Sequence, residues 1–270
     1  MTDYISKENK RACGLYWGEE EKGLVIADKT HDCDSTRDVW ENLYHIIYKN
    51  TFGHLFDFES IDDKETNRRC KRWYVKIDRE KQPALAKEFP KFKMAGDCIF
   101  NFNDKKVELI RNIIGDCENE LLAKCKSNHH SLLNYSFMPI TGGLNATKGI
   151  IRCENGIERK PFDRPDVLIA ELQKYYQGIP TRLFRNTNRE ALKWYLNIFA
   201  ERGIAGYCND IYLIDDEEMI QRFLKLSKKA ICNLETASEY MMLACDYWKM
   251  KEIKLKEFGI SEFSITGWKS

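Results

Sequence analysis

From Asp104 onward apolar residues recur at steps of three or four: Val107, Ile110, Ile114, Cys117, Leu121 and Cys125. Such steps put one stripe on a 3.6-residue helix, and a chain that keeps them over this length has to bury that face. The spacing therefore predicts one core-facing helix from about 104 to 125. Four further stretches follow the same grammar. "FDRPDVLIAELQKYYQG" (162–178) has Asp163 as a cap, Pro165 in the first turn, an apolar face through Val167, Leu168, Leu172 and Tyr175, and Gly178 as a stop. "NREALKWYLNIFAERG" (188–203) runs from Asn188 to Gly203, and "DDEEMIQRFLKLSKKA" (215–230) and "LETASEYMMLACDYWKMKEIKLKEF" (234–258) add two more helices. The Met and aromatic stripe of the last is expected in the core.

The first hundred residues read differently. "CGLYWGEEEKGLVIAD" (13–28) has two apolar runs about a charged, glycine-flanked turn, as in a hairpin. Ser35, with Asp38 three residues on, opens a helix expected over about 36–49, with Val39, Leu43, Ile46 and Ile47 at helical spacing. "FGHLFDFES" (52–60) and "RWYVKID" (72–78) are rich in aromatic and β-branched residues and read as strands, with the polar "IDDKETNRRCKR" (61–72) between them as a loop or exposed helix start. Strands followed by runs of helices, without βαβ alternation, predict an α+β fold. The expectation is a helix-rich single domain with a small antiparallel sheet contributed mainly by the N-terminal half, strand-containing over about 1–103 and helical over about 104–270.

Charge and cysteine usage narrow the function classes. Lys plus Arg at 43 against Asp plus Glu at 42 leaves a net charge of +1, so no bulk electrostatic nucleic-acid binding is expected. No apolar run approaches the roughly 20 residues of a spanning helix, and no membrane association is expected. "MTDYISKENK" has no apolar segment of the signal-peptide kind, which predicts a cytoplasmic protein. There the ten cysteines are expected to be free thiols, mostly buried. The pair Cys117 and Cys125 is eight apart, not the close spacing of structural zinc, and neither metal nor cofactor is expected.

The densest concentration of functional side chains is "NHHSLLNYSFMPITGGLNATKG" (128–149). His129, His130, Asn134, Asn145 and Lys148, joined by Arg164 from "DRPD" (163–166), form the candidate ligand site. An imidazole near neutral pH can donate, accept or bind metal, the amides can orient a phosphate or a water, and an arginine fork can clamp an anion. The structural alternative reads Gly142 and Gly143 as turn residues, the asparagines as partners of buried main-chain groups, and Arg164 as the partner of a neighbouring carboxylate. "HDCD" (31–34), with His31, Asp32 and Asp34, is better read as acidic residues before a helix start than as a metal site. "ITGGLNATKG" lacks the spacing of a phosphate-binding loop.

Two resemblances bear on the same residues. His130, Asn134 and Asn145 in their order faintly resemble the H-x-x-G-N-L…N arrangement of restriction-type HNH nucleases; Leu133 stands in place of the glycine and no D-x-E-H precedes it, which implies a degenerate version. A longer stretch, about 95–225, resembles an uncharacterised bacterial protein family through "AGDCIFNFN", "HHSLLNYSFMPITGGLNATKG", "FDRPDVLIAELQKYYQG" and "ALKWYLNIFAERGIAGYCNDIYLIDDEEMIQRFL". That resemblance implies a bacterial or phage-related cytoplasmic setting, with phage defence among the roles, and transfers no catalytic residue. Together these readings predict a binding or regulatory protein acting through a protein partner or a small nucleotide ligand. The alternative is a nucleotide- or nucleic-acid-processing enzyme centred on 128–149.

Overall fold

The computed structural model describes residues 15–18, 23–26, 47–63, 68–115, 119–129, 132–139, 153–154, 158–159, 163–184 and 189–258. Strands β1 (Leu15–Gly18) and β2 (Gly23–Ile26) pair antiparallel, with Gly18 opposite Gly23, which is the expected hairpin. Helix α1 covers 47–52; the rest of the helix expected from about 36 lies outside the described residues, as do His31, Asp32, Asp34 and His45.

The main sheet is an antiparallel meander in the order β3-β4-β5-β6, made of β3 (Phe56–Asp63), β4 (Arg68–Lys76), β5 (Lys91–Cys98) and β6 (Tyr135–Pro139). Two readings are corrected here. The polar "IDDKETNRRCKR" is mostly strand: residues 61–63 belong to β3 and 68–72 to β4, in a register that sets Asp62 opposite Arg69 and Asp63 opposite Arg68, and residues of opposite charge are favoured directly across an antiparallel pair. His54, read as part of a strand, sits instead in the exposed 3-10 turn Gly53–Leu55 that leads into β3. In β5 Phe92 and Met94 are buried while Lys91 and Lys93 are less so, the two-residue alternation of a sheet with one covered face. All five residues of β6 are buried. A small hairpin, β7 (Cys153–Glu154) with β8 (Glu158–Arg159), completes the strands among the described residues.

Among the described residues the further helices are α2 (Pro83–Glu88), α3 (Asp104–Ile114), α4 (Glu120–Asn128), α5 (Pro165–Tyr176), α6 (Arg189–Asn197), α7 (Gly203–Tyr207), α8 (Glu217–Leu226) and α9 (Leu234–Glu257). A π-helical turn, Cys208–Tyr212, continues α7. The fold is thus α+β and helix-rich, with a small antiparallel sheet placed mainly in the N-terminal half. The single helix expected over 104–125 is in fact two. Gly115 takes φ 88, a backbone angle that side chains resist, and Asn119 restarts the helix by accepting the Leu122 N–H. Apolar spacing carried across the break because both helices pack on α9. A second correction concerns α5: Arg164, not Asp163, is its N-cap residue, and the Arg164 side chain makes no cap hydrogen bond. Helix α9 opens on a reciprocal capping box between Asn233 and Thr236.

One contiguous core runs from Ile47 to Leu255. Against the sheet, Phe56 stacks on Trp73 at 5.1 Å, Tyr48 on Phe137 at 4.3 Å and Phe92 on Tyr195 at 4.6 Å. Phe100 and Phe102 carry the aromatic packing on to Tyr240 and Trp248 of α9. On α3 the buried residues are Val107 and Ile110, whereas Ile114 is only partly covered. Ile110→Ala is therefore expected to destabilise by about 2–5 kcal/mol and Leu109→Ala, on the outer face, by less than about 0.5 kcal/mol. Urea unfolding of the two variants checks this; equal effects would mean that α3 buries another face. Among the described residues no helix is long and apolar enough to cross a membrane.

Candidate functional site

The segment from α4 to β6 brings two of the candidate residues together. His129 follows the last turn of α4, and the 3-10 turn Leu132–Asn134 leads straight into β6. The Asn134 side chain lies at the meeting point of three elements. Its Nδ2 donates to the carbonyls of Phe100 (2.7 Å) and His129 (2.8 Å). Its Oδ1 accepts from the Phe100 N–H (3.0 Å) and from Trp248 Nε1 (3.3 Å) on α9. A primary amide offers two donors and one oxygen with two lone pairs, so these four bonds use all of its capacity. His129 is also turned inward: its Nδ1 accepts the Phe102 N–H at 3.3 Å. A ring nitrogen that accepts is unprotonated, which places the proton of a neutral ring on Nε2.

The same strand gathers polar groups further along. Ser136 Oγ and the Tyr48 hydroxyl both donate to the carbonyl of Ile211 in the π-helical turn, at 2.5 and 3.1 Å. The Phe137 N–H reaches back to the Tyr48 oxygen. Burial pushes the Tyr48 hydroxyl up to about 12, so at neutral pH it is a donor and not an anion. On α9 the Lys251 ammonium donates to the Tyr135 carbonyl from a fully buried position, and burial pushes its pKa down to about 7. The Tyr247 hydroxyl donates to the Tyr212 carbonyl at 3.0 Å. Strand β6 is thus bonded from α1, from the π-helical turn and from α9.

Arg164 belongs to a different junction. Its Nε and NH2 grip Asp166 at 2.6–3.0 Å, and NH2 also donates to the carbonyls of Leu226 (3.1 Å) and Lys229 (2.9 Å) at the end of α8. Both side chains are buried. A cation on the last carbonyls of a helix complements its dipole; Asp166 orients the guanidinium through the bidentate pair, and the Arg164 NH2 joins the start of α5 to the end of α8. Burial raises the Asp166 pKa, opposed by Arg164. Between this junction and β6 lies a cavity of about 10 Å³ lined by Ile99, Met138, Asp163, Arg164, Pro165, Leu168 and Tyr212. That is room for about one water molecule, far less than a nucleotide needs.

Of the six candidate residues, then, His129 and Asn134 meet, and Arg164 belongs to the separate junction of α5 with α8. His130, Asn145 and Lys148 lie outside the described residues, with Gly142 and Gly143. Tyr48, Ser136, Trp248 and Lys251 were not singled out in the sequence. Lys251 had a signal: it falls on the stripe Tyr240, Ala244, Tyr247, Leu255, at a position where a helix of this kind buries its face. Side chains of five cysteines are described, Cys98, Cys125, Cys208, Cys232 and Cys245; all are thiols and four are buried. Among the described residues no group of three or more His, Cys, Asp or Glu is placed to hold a metal ion. Compared with known proteins, the chain matches no family model, no curated protein and no solved structure.

Proposed function

We propose that this chain is a binding or regulatory protein of a bacterial or phage-related cytoplasm, acting through a protein partner or a small nucleotide. The support is the way the candidate residues spend their polar groups. Asn134 has its full hydrogen-bonding capacity on Phe100, His129 and Trp248, His129 turns Nδ1 to the main chain of Phe102, and Arg164 holds Asp166 and the end of α8. A general base or an anion clamp must present its working atoms to a substrate. These atoms hold strand and helix ends in register, which suits a rigid scaffold that presents a surface.

The enzyme alternative centres on His130, Asn145 and Lys148, and one experiment separates the two. Nucleoside triphosphates, short DNA and short RNA are incubated with the protein and divalent metal, and then chromatographed, with a parallel melting-temperature screen. A binding protein leaves every nucleotide and strand intact, whether or not one of them raises the melting temperature. Conversion of any of them, lost in His130→Ala at unchanged melting temperature, would overturn the binding reading in favour of the enzyme.

A further inference from the structure

Two thiols that are 120 residues apart in sequence touch in the fold: Cys125 Sγ of α4 lies 3.8 Å from Cys245 Sγ of α9. The contact is the van der Waals separation of two reduced sulfurs, and a disulfide of about 2.05 Å would need them to close by roughly 1.8 Å. Cys125 Sγ also lies 3.7 Å from the Met241 carbonyl, one turn earlier on α9, so its proton has two acceptors on that helix. From this arrangement we infer that Cys125 and Cys245 form an oxidation site, at which hydrogen peroxide converts the pair to a disulfide that ties α4 to α9.

The two sulfurs are not equivalent. Cys125 is wholly buried, and Cys245 keeps 4% of its surface exposed, so a small oxidant arriving from solvent meets Cys245 first. The hydrogen bond from Cys125 lowers the Cys245 pKa against the opposing effect of its own burial, and Lys124 and Lys249 add to the lowering, with Asp246 working against them. Burial does the reverse at Cys125 and keeps it a thiol. A thiolate with a protonated neighbour in contact is the pairing in which one sulfur attacks and the other resolves. The Cys245 thiolate attacks one peroxide oxygen; the O–O bond breaks, sulfenic acid forms, and the departing hydroxide takes up the proton that Cys245 released on ionising, leaving as water. The Cys125 sulfur then attacks the Cys245 sulfur, the S–O bond breaks, and the oxygen departs as water with the Cys125 proton. In sum two thiols and one peroxide give one disulfide and two waters, the sulfurs losing the two electrons that the peroxide gains.

The location gives the bond a consequence. Cys125 is one turn before His129 and Cys245 one turn before Trp248, and both of those residues bond into the Asn134 junction. A covalent tie there would lock the two helices that clamp the start of β6. In a reducing compartment the bond would be made and removed with the oxidant, as a labile disulfide rather than a permanent staple.

The test treats the full chain, in a Cys232→Ser background that removes the exposed thiol among the described cysteines, with hydrogen peroxide under native conditions, followed by denaturing alkylation and peptide mapping. The expected result is a linked peptide pair containing Cys125 and Cys245, lost on reduction, and a melting temperature higher by roughly 5–10 °C, as closing so long a loop implies. In Cys125→Ser the link is absent and Cys245 is labelled by a sulfenic-acid-selective reagent. Because that variant could lose stability, the parent protein treated with peroxide below and above its melting temperature is the second arm. Linkage appearing only above the melting temperature, or native oxidation confined to other cysteines, would overturn the inference.

Discussion

Replacing Lys251 with methionine is expected to stabilise the protein at pH 6 and to abolish a rise in stability that the wild type shows above about pH 7. The ammonium group is fully buried, with the Tyr135 carbonyl as acceptor and the Tyr247 ring 5.8 Å away. Burial alone lowers its pKa from the ordinary 10.5 to about 7. Below about pH 7 both folded and unfolded chains carry the proton, and the cost of burying the charge is complete. Above that pH the folded chain has released a proton that the unfolded chain still holds, so stability climbs with pH until the unfolded lysine titrates as well. At about 1.4 kcal/mol per pH unit, the full effect is of the order of 5 kcal/mol. The buried thiols of Cys125 and Cys208, raised by burial, begin to offset the climb once unfolded thiols ionise near pH 8.5. The informative quantity is therefore the difference between wild type and Lys251→Met. Methionine is unbranched and of similar length, and after allowing for the lost bond to Tyr135 it should gain about 2–4 kcal/mol at pH 6. Urea unfolding at pH 6, 7, 8 and 9 should show the gap closing with pH; parallel curves would show that Lys251 does not titrate in the fold.

Arg164→Met is expected to have the largest effect in the opposite direction, a loss of about 3–5 kcal/mol at pH 7. The substitution strands the Asp166 carboxylate in a buried site and takes a donor from the Leu226 and Lys229 carbonyls. Its pH dependence has a definite sign. Burial already holds the Asp166 pKa above its ordinary 3.8 against the pull of Arg164, and without the arginine it must rise further. A folded carboxyl that keeps its proton longer than the unfolded one loses stability as pH rises through the interval between the two values, so the deficit should be full at pH 7 and shrink toward pH 4. Arg164→Met combined with Asp166→Leu should recover most of the loss, since removing both members of a buried ion pair is far milder than removing one. Chemical unfolding of both variants decides it: if the double variant is as unstable as the single one, the loss comes from the broken bonds to the Leu226 and Lys229 carbonyls and not from the stranded carboxylate.

The helical half was legible because its information is local. Val167, Leu168 and Leu172 announce α5, and a stripe of Met and aromatic residues announces α9, each through spacing that one helix face imposes on its own sequence. Where the reading slipped, a single backbone feature had intervened. Gly115 and Asn119 divided one apolar stripe between two helices. The charged "IDDKETNRRCKR" became strand because its pairing partner lies across a hairpin rather than in the next turn.

The candidate site divides along the same line. That residues 128–149 hold a dense set of polar side chains, and that Arg164 would find a carboxylate close by, could be seen in the sequence alone. What Asn134 does depends on Phe100 and Trp248, 34 and 114 residues away. Ser136 and Tyr48 converge on Ile211 across separations of 75 and 163, and Lys251 finds its acceptor 116 residues back, on Tyr135. The sequence by itself determined the helix periods and the class of fold, because those depend on neighbours within a turn or two of the chain. Only the tertiary structure decided that the polar residues around β6 face one another and the main chain, because a buried hydrogen bond is set by distance in space, and a sequence carries no record of which distant residues share that space.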